Sequence, residues 1–141
     1  MELDYKNLRI GNLIINQFKK LNGFSEYIDK VVSLAEYGEC NVWSEPFDKE
    51  NGGSKCMLWE GIPLTEEWLT RRLGFKPDNY GTFYIPISKD QDLWVKHYKD
   101  GDNEGWSVSI NFGKNMQQII DTNFVHSLQN LYYALTNEEL G

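Results

Sequence analysis

LWVKHYKDGDNEGWSVSINF, residues 93–112, is the stretch on which the fold depends. Two strand candidates, LWVKHY (93–98) and WSVSINF (106–112), flank KDGDNEG, whose density of Gly, Asp and Asn marks a hairpin loop. Upstream, TFYIPI (82–87) is a third candidate. Pro86 lies inside it, so that strand is expected at an edge or with a bend there. The expectation is a three-stranded antiparallel sheet.

A helix should feed this sheet. In IPLTEEWLTRRLGF (62–75), Thr65 is a good N-cap, and Glu66 and Glu67 place negative charge in the first turn. Leu64 and Leu69 have the spacing of a hydrophobic staple, and Gly74 can close the helix in a left-handed conformation. On the other side of the sheet comes FVHSLQNLYYAL (124–135), where Phe124, Leu128, Leu131 and Leu135 form one apolar helical stripe expected to face the core. His126, Asn130 and Tyr133 share a different face, with Gln129 nearer the apolar edge. Asn123 is available to cap this helix. Thr136 and Glu139 have the spacing of a capping box, which suggests a second helix start and a structural task for Glu138 and Glu139.

The N-terminal part is less regular. In NLRIGNLIINQF (7–18) the apolar positions change phase across Gly11–Asn12, as a bulge or tight bend would require. LNGF (21–24) is a turn signal. Residues 24–35 carry both a helical spacing and the β-branched run KVVSL, and DKENGGSK (48–55) reads as a loop.

The chain has 141 residues, of which 40% are hydrophobic, so a core can form without staples. That length suits one compact domain, 1–141, or two sub-modules at about 6–61 and 62–141. There is no secretory signal and no membrane-length apolar run, which points to the cytoplasm. Cys40 and Cys56 are then expected as free thiols. A net charge of −7 argues against binding nucleic-acid phosphates; it suits solubility, a basic partner, or imitation of nucleic acid toward a protein that binds it.

Catalytic signatures are missing: no GxGxxG, Walker loop, GxSxG, HExxH or EF-hand loop is present. No metal, cofactor or catalytic residue is expected. The two histidines, His97 and His126, would need a carboxylate or thiol in hydrogen-bond reach to act in catalysis, and Asp121 is a local candidate for His126. The residues that would line a ligand site are His126, Gln129, Asn130 and Tyr133.

Three segments, LRIGNLI (8–14), GIPLTEEWLTRRLGF (61–75) and FVHSLQNLYYALTNEEL (124–140), resemble an uncharacterised family of small proteins found in Bacteroidetes genomes and their phages or prophages. The motifs label the family, which has no established activity to transfer. KKLNGFSEYID (19–29) and ENGGSK (50–55) depart from it as insertion-like segments. The resemblance implies short strands after LRIGN, as in a small SH3-like barrel, and hence a strand at Asp29–Leu34.

The expected architecture is therefore α+β: an SH3-like β module, a helix, a three-stranded antiparallel sheet and a C-terminal helix. The expected function is a non-enzymatic protein-interaction module of phage or mobile-element origin with an unidentified protein partner. A counter-defence inhibitor of a host nuclease is one subclass. The alternatives are a binder of a nucleotide-like small molecule and a hydrolase using a lone histidine.

Overall fold

The computed structural model describes residues 8–23, 27–34, 40–44, 53–56, 59–78, 81–112 and 114–140. The chain divides into two compact units, Met1–Ile62 and Pro63–Gly141.

In the first unit, LRIGN is a turn. Gly11 adopts φ +99°, a conformation open to glycine at little cost, and its N–H donates to the Val31 carbonyl at 2.8 Å. The Asn12 side chain, fully buried, accepts the Arg9 backbone N–H and closes the turn from inside. β1 (Leu13–Asn16) follows, buried along its whole length, and then the short helix α1 (Gln17–Leu21), which ends at the Asn22–Gly23 turn. β2 (Ile28–Leu34), β3 (Cys40–Ser44), β4 (Gly53–Cys56) and β5 (Trp59–Glu60) complete an antiparallel sheet in the order β4-β3-β2-β1-β5. Leu8, Ile14, Val31 and Trp59 form its apolar cluster. Asp29, also buried, is held by Lys19 Nζ at 2.9 Å and by the Asn16 amide at 2.9 Å, so that charge is compensated by a cation and a hydrogen bond.

Residues 28–34 are strand, not helix; Phe24 and Ala35, which belonged to the competing helical pattern, lie outside the described residues. The expected 48–55 loop is revised at its end, where Gly53–Lys55 belong to β4; residues 48–52 lie outside the described residues.

The second unit opens with the helix expected at 65–73, and its cap is in place: Thr65 Oγ1 accepts the Trp68 N–H at 3.2 Å. Its body, Trp68–Arg72, is π-helical, with the Leu73 N–H reaching back five residues to the Trp68 carbonyl. Gly74 at φ +80° then lets Phe75 fold back and donate to the Leu69 carbonyl.

A sheet of five strands follows: β6 (Lys76–Pro77), β7 (Thr82–Ser88), β8 (Gln91–Asp100), β9 (Asn103–Phe112) and β10 (Asn115–Thr122), in the order β10-β9-β8-β7-β6. The expected KDGDNEG loop contracts to a two-residue turn. Strand pairing runs up to Asp100 opposite Asn103, and Gly101 takes the positive φ that the first central position of a tight hairpin requires. β7 is internal to the sheet, yet β6 pairs only with Phe83 and Tyr84. Pro86 therefore has an uncovered side, and the ladder to β8 shifts register between Pro86 and Ser88.

The C-terminal helix α2 (Val125–Thr136) packs against β7. Its inward face is Val125, His126, Leu128, Gln129 and Tyr132. The anticipated stripe of Phe124, Leu128, Leu131 and Leu135 is thus off by about one residue, or about 100° of helix; Leu135 is exposed. The cause is upstream. Phe124 bridges to Pro63, and the Leu64 N–H donates to the Asn123 carbonyl at 2.9 Å, so the start of the helix is fixed by backbone pairing before its stripe can choose an orientation. Among the described residues no second helix follows. Asn137 takes a left-handed conformation and closes α2, and Thr136 Oγ1 accepts the Glu138 N–H.

The expected architecture is corrected accordingly: the described residues form two five-stranded antiparallel sheets with little helix, and the second sheet has five strands where three were expected. Both missed strands, β6 and β10, are edges. Among the described residues no helix is long and apolar enough to cross a membrane.

Candidate functional site

The four residues expected to line a site do not share a surface. His126 is 3% exposed and Gln129 is 1% exposed, both turned inward, whereas Asn130 is half-buried and Tyr133 exposed. Burial pushes the His126 imidazole down to about 4, so it is neutral near pH 7, and its ring stacks on Phe124 with centroids 5.7 Å apart. The Gln129 amide donates to the Leu140 carbonyl at 2.9 Å, which holds the chain after α2 against the helix. Asp121 points to other partners: it accepts from Gln118 at 2.7 Å and from the Tyr98 hydroxyl at 3.5 Å.

A different set of residues is brought together at the β8–β9 hairpin. His97 stands directly opposite Trp106, with ring centroids 5.0 Å apart, and His97 Nε2 lies 2.9 Å from Glu104 Oε1. Trp106 Nε1 donates to the Leu64 carbonyl at 3.0 Å and so seats the segment before the Thr65 cap beside the hairpin. The result is a groove of about 500 Å³ lined by Leu64, Glu66, His97, Glu104, Trp106 and Asn123. Gly105 lets Asn123 and Tyr98 lie against the hairpin backbone, since a Cβ there would fall 2.5 Å from Asn123 Oδ1 and 2.9 Å from the Tyr98 hydroxyl. The groove offers two carboxylates, an amide and an imidazole. Those groups suit a cation or a hydrogen-bond donor; a phosphate would meet like charge at Glu66 and Glu104. Thr65 also lines it, but its hydroxyl is engaged as the helix cap. Sequence reading had His97 as an isolated histidine. The loop assigned to 99–105 concealed that Glu104 is itself in a strand, two residues from Trp106 and on the same side of the hairpin.

The second feature is β10. It is the last strand of its sheet, eight residues long, and every residue from Asn115 to Asp121 is exposed. Met116 is 56% exposed, Ile119 39% and Ile120 37%. Asp121 is its one charged residue, and a bulge at Ile119 is the one irregularity in its pairing with β9. A strand in this position presents a row of backbone N–H and C=O groups to an incoming chain, and natural edges are usually guarded by brevity, proline or lysine.

Comparison with protein-family models, with curated proteins and with solved structures finds no match.

Proposed function

We propose that this protein is a non-enzymatic interaction module that engages its partner by strand addition at β10. The supporting observation is the exposed, nearly uncharged eight-residue edge carrying Met116, Ile119 and Ile120. In this mode main-chain hydrogen bonds supply affinity and the alternating side chains supply selectivity. The net charge of −7 favours a partner whose extended segment is flanked by basic residues. The mobile-element origin rests on the resemblance carried by residues 8–14, 61–75 and 124–140, and a counter-defence role within it on small size and acidity.

The test is to retain partners from host lysate on the tagged full chain and to follow amide hydrogen exchange in the complex. A partner that protects the β10 amides, and that is lost on Met116→Lys/Ile120→Lys, supports the reading. Undiminished capture by that variant sinks it, as does occupation of β10 by a second copy of the same chain.

One observation favours a second reading, binding of a small molecule. It is the groove around His97, Glu104 and Trp106, whose chemistry suits an organic cation better than the nucleotide-like ligand first expected. Calorimetry with arginine and polyamine probes on the wild type and Glu104→Gln separates the two readings, because only the groove reading requires Glu104.

A further inference from the structure

β3 and β4 pair in a regular antiparallel register that sets Cys40 directly opposite Cys56, continuing through Asn41 opposite Lys55, Val42 opposite Ser54 and Trp43 opposite Gly53. These are the only cysteines in the chain. Directly opposed residues of an antiparallel pair have Cα atoms about 4.5–5.5 Å apart. A disulfide bridges Cα separations of about 4.4–6.8 Å, so the spacing of such a register lies within the range the bond spans. The spacing in sequence, fifteen intervening residues, gave no sign of this, because only strand pairing brings the two positions together.

We propose that Cys40 and Cys56 are a reversible thiol–disulfide pair, reduced under reducing conditions and closed to a cross-strand disulfide by a low-molecular-weight disulfide such as oxidised glutathione. The exchange balances in two steps. The thiolate of one cysteine attacks a sulfur of the small disulfide, forming a mixed disulfide and releasing one small thiolate, which takes up the proton the cysteine gave up. The thiolate of the other cysteine then attacks the protein-bound sulfur of that mixed disulfide; the protein disulfide forms and the second small thiol leaves. Two electrons pass from the two cysteines to the small disulfide, and no other reactant is consumed. The second step is intramolecular between residues paired in the sheet, so it outruns the first and the mixed disulfide does not accumulate. Closing the bond fastens β4, the outermost strand of its sheet, to β3 and constrains the segment 41–55.

The full-length protein is incubated with oxidised glutathione, quenched with acid, and read by intact mass, by thiol titration after denaturation and by non-reducing peptide mapping. The wild type should lose both titratable thiols and two hydrogen atoms, map as a Cys40–Cys56 linkage within one chain, and recover both thiols with a reducing dithiol. Cys40→Ser and Cys56→Ser should each accumulate the glutathione adduct at least about tenfold above its level in the wild type. Adducts accumulating on the wild type, linkages only between chains, or thiols that react only after denaturation would each overturn the pair. The wild-type mapping decides the matter even if a serine variant fails to fold.

Discussion

The second sheet ends on one side in β6, which is two residues long and contains Pro77, and on the other in β10, which is eight residues long and carries three exposed apolar side chains. β6 comes directly after a capped helical turn and is paired with β7, the strand that α2 covers. β10 is paired with β9 along its inner side and is exposed from Asn115 to Asp121. Only the first has the brevity and proline by which natural sheets blunt an edge. An edge guarded only by the bulge at Ile119 invites aggregation unless something occupies it, and that difference is what points to β10 as the binding edge.

The largest effect is expected in the core between α2 and β7. Leu128 is fully buried in α2, and Leu128→Ala should lower unfolding stability by about 2–5 kcal/mol in urea denaturation, through lost burial and the cavity left behind. Acid acts on the β6 side through the same helix. The folded pKa of His126 is depressed to about 4 from its ordinary 6.5, so on acidification the unfolded chain binds the proton first. Stability is therefore lost as pH falls from about 6.5 toward 4, by on the order of 3 kcal/mol from this residue. Comparing urea midpoints at pH 7 and pH 4.5 for the wild type and His126→Phe should show a shallower pH dependence in the variant. Hydrogen exchange at the lower pH should rise in β6 and β7 before β10, which would sharpen the contrast between the two edges.

At β10 itself, Met116→Lys/Ile120→Lys should weaken partner binding at least about tenfold, about 1.4 kcal/mol. Unfolding stability should change by less than about 1 kcal/mol, because both side chains are already exposed. Removing the cap before β6, Thr65→Ala, should cost about 1 kcal/mol and leave β10 binding unchanged in the same capture assay. The smallest effect is expected at Arg71→Ala, which deletes an exposed pair with Glu67 at 3.4 Å; its denaturation midpoint should stay within about 0.5 kcal/mol of the wild type.

Legibility followed burial. The strands at 82–88, 91–100 and 103–112 each carry buried apolar positions, and all three were found from sequence with shortened ends. β10 reads NMQQIIDT with every residue but the last exposed, so no inward alternation marks it as a strand. β6 is too short to carry any pattern. The site residues failed for the converse reason. His126 and Gln129 look like the polar wall of a pocket, yet one is a neutral buried ring and the other holds the Leu140 carbonyl. The LRIGN, IPLTEEWLTRRLGF and FVHSL segments are similarly committed to structure: Gly11 and Asn12 to a turn, Thr65 and Gly74 to helix ends, Val125 and Leu128 to the core.

The Thr65 cap, the left-handed Gly74, the Asn22–Gly23 turn and the β8–β9 hairpin were legible in the chain, because each depends on neighbours along it. Tertiary structure decided whatever required a partner distant in sequence. The pairing of Pro63 with Phe124 set the rotation of α2, strand register brought His97 to Trp106 and Cys40 to Cys56, and β10 became an edge only because no described strand lies beyond it. A strand's hydrogen bonds are made to another strand, so its place in a sheet, unlike a helix cap, is not written in its own residues.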